Sequence, residues 1–243
     1  MSAVGTETVE QAAVPGSAGW WLERRARDDR RRPRVDGLSI ERMILTAIAV
    51  VDDEGLDALT VRRLAADLET GSASLYRHVA SRDELLVLMV DHVLGEIVFP
   101  DEHLPARARV EGLATELRRV LMAHPHLLPA LTASPLLGPN AMRGAERGLA
   151  DMLEVGFEPA AAVPGYLALI DYVLGTVYFD TSSAGQGTRA ASERRELIEA
   201  LPTEVFPTLR GNEEEFATPS VEEVFTFGLV TFLDGMESRF PLT

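Results

Sequence analysis

The sequence predicts an all-α protein built from two helical domains. Apolar residues recur every three or four positions in each periodic segment, which is the spacing of helices that bury one face. We find no convincing strand pattern and no internal repeat between these segments. The chain has 243 residues, of which 46% are hydrophobic, so it can bury a substantial core in one large or two small domains.

Residues 1–37 are expected to form a flexible, Arg-rich N-terminal extension. Residues 1–19 are small and polar without periodicity, and Glu23–Arg34 contains seven arginines. Two interpretations of this basic segment stay open: an arm that reaches into a minor groove or along DNA phosphates, and a solvated charged tail. The pair Trp20-Trp21 indicates contact with an apolar surface, because indole rings usually find one.

Residues 38–99 are expected to form the next domain, which begins and ends with longer helices. The first helix, Leu38–Asp53, has an apolar stripe and a capping serine at Ser39. The last helix begins after Ser81, with Glu84 at the position of a capping box. This last helix is more apolar than a surface helix needs, which indicates that it joins the domain to the rest of the chain.

Between these two helices the sequence predicts a helix-turn-helix. Thr60 caps a short amphipathic helix, and Glu69-Thr70-Gly71 breaks its pattern at a turn for which Gly71 supplies a positive φ. Ser72 then caps a second short helix, Ala73–His78. Two short helices joined by a glycine-containing turn are typical of DNA-binding proteins, although a short helical hairpin in another all-α protein would show the same local pattern.

The outward side of this motif carries side chains suited to DNA. Arginine paired with guanine is the commonest specific base contact, and Ser, Tyr and His side chains bond phosphate oxygens. The candidate DNA-binding residues are Arg62, Ser72, Ser74, Tyr76, Arg77, His78 and Arg82.

Residues 100–243 are expected to form a second helical domain after a break at Pro100–Pro105. The predicted helices are Val110–Ala123, Pro125–Leu131, Asn140–Val155, Pro159–Asp180, Ala190–Leu201 and Val221–Arg239. The segment Pro202–Glu215 is expected to be irregular and acidic.

Two segments of this domain, Tyr166–Phe179 and Val224–Phe240, are apolar on more than one helical face. Such helices must lie in a core or in an interface. We expect a homodimer in which both helices of each subunit form a four-helix interface, and the alternative is a monomer with two core helices.

Composition excludes several classes of site. The chain has no Cys, so disulfides and thiolate sites are absent. No phosphate loop, nucleophile elbow or metal-binding motif occurs, and His124-Pro125-His126 lacks a nearby carboxylate, so we expect no cofactor, no metal site and no enzyme activity.

The hydropathy of the chain favours a cytoplasmic protein without a membrane span. The N-terminus lacks an apolar signal region, and no run approaches the roughly 18 consecutive apolar residues of a membrane helix.

The net charge of −15 would ordinarily argue against binding to nucleic acid. Arg62, Arg63, Arg77 and Arg82 are nevertheless concentrated around the helix-turn-helix, which predicts a basic face.

The segment from Ile40 to Val90 resembles the N-terminal domain of the TetR (tetracycline repressor) family. The matching motifs are LTVRRLA, the recognition helix SASLYRHV and the following ASRDELL, in order and without a gap. One departure is Glu69, where the family usually has Gly: either Gly71, two residues later, takes that role, or the turn is strained. The segment from Val110 to the last helix resembles, more weakly, the tetracycline-repressor type of C-terminal domain.

The resemblance implies a repressor that binds a palindromic DNA operator as a homodimer and releases it on binding a small hydrophobic effector. It also implies that the two apolar helices form the dimer interface. A magnesium–tetracycline effector does not carry over, because Thr132 and Phe179 replace the metal-linked His and Glu, and Ala114, Arg118 and Gly148 replace ring-contacting residues.

The candidate effector-binding residues are Arg118, His124, Tyr166, Asp171, Tyr172 and Phe179. For Arg118 an ion pair with Glu154 or Asp171 is the alternative. Two other functions stay open: a helical dimer that sequesters small molecules without specific DNA binding, and an α-helical enzyme using the C-terminal cavity.

Overall fold

The computed structural model describes residues 13–28, 39–133, 135–182, 187–217 and 219–240. Within these ranges the chain forms thirteen α-helices and no strand, which confirms the predicted all-α class. The helices are α1 (Ala18–Asp28), α2 (Ile40–Glu54), α3 (Val61–Asp67), α4 (Ser72–Leu75), α5 (Arg82–Leu94), α6 (Ala106–Ala123), α7 (Leu128–Thr132), α8 (Pro139–Val155), α9 (Pro159–Ser182), α10 (Gly187–Glu199), α11 (Pro207–Gly211), α12 (Glu213–Ala217) and α13 (Val221–Arg239).

The chain folds into two compact units, each made of two stretches of sequence. Unit 1 comprises residues up to Glu96 together with His126–Gly144, and unit 2 comprises Ile97–Pro125 and the residues from Ala145 onward. This grouping differs from the expected division at residue 100, because α7 packs against α5 and brings the chain back to unit 1.

The core of unit 1 lies between α2 and α5. Met43, Ala47 and Val51 on α2 and Met89 on α5 are fully buried. Ser39 and Ser81 cap the two helices through their hydroxyl groups, as predicted. The Glu84 carboxylate accepts from the N–H of Ala80 and not from that of Ser81, so the predicted capping box is only half formed.

The expectation of a flexible N-terminal extension is wrong for residues 18–28, which form α1. Trp20 is only 5% exposed, and the indole of Trp21 lies edge-on against it at 4.7 Å between ring centroids. Arg24 forms an ion pair of 2.8 Å with Glu84 on α5. The tryptophan pair therefore docks, as the sequence indicated, while the arginine-rich residues 29–38 lie outside the described ranges.

A buried carboxylate on α5 caps α8 inside unit 1. One oxygen of Asp91 accepts hydrogen bonds from the backbone N–H groups of Asn140 and Ala141, at 3.1 and 3.2 Å. Burial raises the pKa of Asp91, and these two backbone donors oppose the shift. The carboxylate satisfies N–H groups that have no partner within the first turn of a helix.

In unit 2, α9 packs against both α6 and α13. The α13 helix begins with a complete capping box between Ser220 and Glu223. The segment Pro202–Glu215, predicted to be irregular, contains α11 and most of α12, which pack with α10. Both are five-residue helices, which are too short to show apolar periodicity in the sequence.

The α9 helix is long and apolar enough to cross a membrane by length and composition alone, over Pro159–Thr181. The sequence interpretation, which looked for an uninterrupted apolar run, missed this property. Core helices of soluble proteins pass the same test, so one such helix is weak evidence for a membrane span.

Candidate DNA-binding surface and effector cavity

The turn of the helix-turn-helix takes its left-handed residue from Glu69. Leu68 is the C-cap of α3, and Glu69 follows with a φ of +52°, the only positive φ of a non-glycine residue in the described chain. The prediction that Gly71 supplies the positive φ is wrong, because Gly71 has a φ of −81° and precedes α4 as its N-cap. Ser72 is accordingly the first residue of α4 and not its cap.

We expect Glu69→Gly to raise the free energy of unfolding by about 0.5–1 kcal/mol, because the left-handed region costs a side chain more than glycine loses in backbone entropy. The matched control is Gly71→Ala, which has an ordinary φ and nothing within 4 Å of the added Cβ. Urea unfolding of both variants checks this prediction. A loss of stability in Glu69→Gly would contradict it.

The recognition segment, Ser72–Val79, presents its polar side chains outward, as predicted. Leu75 and Val79 are buried, at 3% and 8% exposed, whereas Tyr76 is 57% exposed. Ser72 and Arg77 are also exposed, and Ser74 and His78 are half-buried. The regular helix ends at Leu75, and residues 76–78 continue it as turns, so the helix is shorter than the predicted Ala73–His78.

Two candidate base-contacting residues are hydrogen-bonded to each other. The Arg77 guanidinium donates through Nη2 to the Ser74 hydroxyl at 2.7 Å. This contact spans one turn of the recognition segment and restricts the arginine rotamers. The Arg77 residue as a whole is exposed.

The other arginines of the motif differ in their partners. Arg62 is exposed on α3, while Arg63 lies between the carboxylates of Glu54 and Asp67, which raise the pKa of Arg63. Arg63 is therefore neutralised, and the predicted basic face does not include it. Arg82 donates to the carbonyls of Leu56, at 2.8 Å, and Leu59, at 3.4 Å, so it supports the turn before α3 while staying exposed.

Among the described residues of unit 2, a small apolar cavity of about 20 Å³ lies between α6, α8 and α9. Its lining residues are Val110, Leu113, Ala114, Gly148, Met152, Tyr166, Leu169 and Ile170. The Tyr166 ring lies so close to Gly148 that a Cβ added there would be 2.6 Å from it. Because its volume is only about 20 Å³, the cavity is water-sized. The Tyr166 ring occupies the space beside it, where burial raises the pKa of Tyr166.

Of the six predicted effector-binding residues, Tyr166 alone lines this cavity. Phe179 is 72% exposed and Asp171 is exposed, so both belong to the outer surface of α9 in one chain. His124 is half-buried at the end of α6, away from the cavity lining. The Tyr172 hydroxyl donates to the Phe225 carbonyl at 2.7 Å, and burial raises its pKa.

Arg118 has a structural environment that the sequence interpretation did not anticipate. Its guanidinium donates to Asp180 on α9 at 2.9 Å and to Glu222 on α13 at 2.7 Å, and not to the expected Glu154 or Asp171. It also lies 4.7 Å from the centroid of the Phe225 ring. Arg118 therefore joins α6 to both long apolar helices.

Sequence reasoning missed several cavity residues, including Leu113 and Met152. A signal was available for two others, because Ala114 and Gly148 stand at positions where the resemblance places ring-contacting residues. They were interpreted as lost contacts, although small side chains are what leaves space in a cavity. Among the described residues, no group of three His, Asp or Glu side chains is arranged to hold a metal ion.

Comparisons with known proteins match both halves of the chain. Residues 44–89 match the family model described as bacterial regulatory proteins, tetR family, and residues 99–240 match the tetracyclin repressor-like C-terminal domain. The HTH-type transcriptional repressor DrrR1 of Streptomyces coeruleorubidus is 33% identical over 215 residues, covering 82% of this chain and 77% of that protein.

Two further relatives cover a similar share. An HTH-type transcriptional regulator of Saccharopolyspora erythraea is 31% identical over 210 residues, covering 85% of this chain and 86% of that protein. The crystal structure of ActR from Streptomyces coelicolor in complex with actinorhodin has 32% identity and a TM-score of 0.78, covering 85% of this chain and 99% of that chain.

Proposed function

The chain belongs to the tetR family of bacterial regulatory proteins and is a DNA-binding transcriptional regulator, and from this premise we propose how it recognises and releases DNA. It acts as a homodimeric repressor that places one recognition segment in the major groove of each half of a palindromic operator. A small hydrophobic effector then releases the DNA. The observation that carries this proposal is the exposed Tyr76-Arg77 pair on a correctly formed helix-turn-helix.

We assign each candidate DNA-binding residue either a base contact or a phosphate contact. Arg77, held by the Ser74 hydroxyl, reads a guanine edge, since a restricted guanidinium loses less entropy on binding. The phosphate contacts come from the hydroxyl, imidazole and guanidinium groups around it, which belong to Arg62, Ser72, Tyr76, His78 and Arg82.

We predict that Arg77→Ala relaxes base preference by about 1–3 kcal/mol at one position in each half-site. Binding to a set of operator duplexes with single base-pair changes measures this preference. Arg62→Ala is the matched control, because losing a phosphate contact weakens binding to every duplex by a similar factor. If Arg77→Ala behaved as Arg62→Ala does, Arg77 would contact a phosphate and not a base.

The proposed dimer interface consists of exposed apolar side chains along α9 and α13. On α13, Val224, Phe227 and Val230 are 56%, 75% and 39% exposed, while Phe225 and Leu229 on the other side are buried. On α9, Leu167 and Tyr178 are each 56% exposed. Large contiguous apolar stripes on a soluble domain indicate an interface, and a twofold axis pairs the same stripes from two subunits.

The effector is proposed to be a largely apolar, aromatic small molecule. The relative ActR was crystallised with actinorhodin, and the cavity in this chain has an apolar lining beside the ring of Tyr166. Drug-sized ligands need about 300–1,000 Å³, far more than the cavity holds here. The effector must therefore favour a state in which Tyr166 has moved away from Gly148, and its preference for that state supplies the coupling to DNA release.

A mobility-shift assay with the DNA upstream of the gene for this chain tests the function, at two salt concentrations and with competitor DNA. We expect a discrete, salt-sensitive complex for the wild-type protein. Tyr76→Ala is expected to lose it while keeping the wild-type melting temperature, because its ring is largely exposed. The absence of a complex that survives competitor would favour the sequestering dimer.

A further inference from the structure

We propose that α1 belongs to the DNA-binding surface and that Arg27 contacts a phosphate group beside the base pairs that the recognition segment reads. The inference rests on the proposed function and extends it to a helix that precedes residue 44, where the family match begins. It assigns a role to part of the N-terminal extension, for which the sequence left a DNA-binding arm and a solvated tail as equal alternatives.

The position of α1 supports this inference first. A surface cleft of about 120 Å³ is lined by Arg24 and Arg27 of α1 together with Tyr76–Ala80 and Glu84. The α1 helix therefore lies directly beside the end of the recognition segment, within the same compact unit. A phosphate next to Tyr76 and Arg77 would be within reach of the long Arg27 side chain.

The helix is also held firmly in this position. Arg24 donates to one oxygen of Glu84 at 2.8 Å and lies 5.4 Å from the centroid of the buried Trp20 ring. The other oxygen of Glu84 accepts from the backbone N–H of Ala80 at 2.7 Å. Glu84 thus links Arg24 of α1 to Ala80, the residue that follows the recognition segment. Because α1 is already ordered, DNA binding does not have to overcome the entropy of folding it.

The charges around the cleft favour an anion. Its walls carry the guanidinium groups of Arg24, Arg27 and Arg77 against the single carboxylate of Glu84, which Arg24 and Ala80 engage. Among the described residues, the Arg27 guanidinium forms no ion pair, and its hydrogen bond to the Glu23 carbonyl is long, at 3.4 Å. This arginine is exposed and retains its charge for an external partner.

A second arginine on the same helix provides a matched control. Arg25 is exposed but lines a different cavity of unit 1, with Ile44, Leu88 and Asp91. It does not line the cleft beside the recognition segment. Arg25→Ala and Arg27→Ala therefore remove the same charge from the same helix on two sides, which separates a local phosphate contact from a general change in net charge.

The test measures DNA affinity of the full chain against salt concentration for the wild type, Arg27→Ala, Arg25→Ala and Arg27→Lys. The probe is the duplex that the wild-type protein enriches from a random-sequence library. Two lost phosphate contacts in a dimer should reduce the slope of log K against log salt by about 1.8. Between about 50 and 200 mM salt, Arg27→Ala should then lose about tenfold less affinity than the wild type does.

Arg25→Ala is expected to keep the wild-type slope, and Arg27→Lys is expected to restore it, because an ammonium group also binds phosphate as a point charge. If the slope of log K against log salt were the same for Arg27→Ala and the wild type, the inference would be overturned and the proposed function would stay intact. The same conclusion would follow if Arg25→Ala and Arg27→Ala reduced this slope equally. Failure of the wild-type protein to enrich any duplex would overturn both. Tryptophan emission checks that Trp20 stays buried in each variant.

Discussion

Phe227→Glu is expected to convert the protein into a monomer that has lost most of its operator affinity. Phe227 is 75% exposed at the middle of the apolar stripe on α13, between Val224 and Val230. A carboxylate there stays in water in the single chain, so the fold is preserved. In the dimer it must be buried in an apolar interface, where an unpaired charge is strongly unfavourable.

The loss of dimerisation should also be visible in DNA binding. A dimer gains affinity for a palindrome because its second half-site contact is intramolecular, which contributes about 10²–10⁴ in avidity. We therefore expect Phe227→Glu to weaken operator binding by at least about a hundredfold, although every DNA-contacting residue is unchanged. Sedimentation velocity and a mobility-shift titration measure the two effects.

Leu197→Glu serves as the control for Phe227→Glu. Leu197 is 64% exposed on α10, outside the two apolar helices, and the substitution adds the same charge. It should leave the protein dimeric with wild-type DNA affinity. If Phe227→Glu remained a dimer, the interface would have to be formed by another surface, and the interpretation of α9 and α13 would be wrong.

Arg109→Met is expected to lower the melting temperature by roughly 10 °C, because it leaves a carboxylate buried without its main partner. Arg109 is 3% exposed on α6, and its Nε donates to Asp151 on α8 at 2.7 Å. Nη2 donates to Glu154, and Nη1 donates to the carbonyls of Glu102 and Leu104. The two carboxylates raise the pKa of Arg109, so the guanidinium stays charged.

Two controls define the cause of the Arg109 effect. Arg119→Met removes an exposed arginine that pairs with Glu116 on the same helix, and surface pairs of this kind contribute little, so its melting temperature should change by only about 1–2 °C. The double variant Arg109→Met/Asp151→Leu should regain much of the loss, since it removes both charges together. Calorimetry would contradict the account if Arg109→Met melted as the wild type does.

The sequence predicted those parts of the fold that depend on local patterns. Helices such as α2 and α5 show both apolar residues at helical spacing and a capping serine, at Ser39 and Ser81, and the structure forms them at those caps. The helix-turn-helix was predicted for the same reason. Its turn was assigned wrongly, because the left-handed residue is Glu69, directly after the C-cap Leu68, and not the glycine two positions later.

The sequence did not reveal contacts between residues far apart in the chain. Arg118 was predicted to bind an effector, yet its partners Asp180 and Glu222 lie 62 and 104 positions away. Asp91 caps a helix that begins about 50 residues later, which no local rule indicates. Of the predicted effector-binding residues, Tyr166 alone lines the small cavity of unit 2, because the lining depends on which face of α9 turns toward α6 and α8.

In-vitro selection from a random-sequence duplex library tests the central claim most directly. The wild-type protein should enrich an inverted repeat whose half-site centres lie about one helical turn, or 34–36 Å, apart or a multiple of that distance. Tyr76→Ala, carried through the same rounds, should enrich no such repeat. If the wild-type protein enriched no common sequence, or one without twofold symmetry, the account of a dimer that reads a palindrome through this recognition segment would be contradicted.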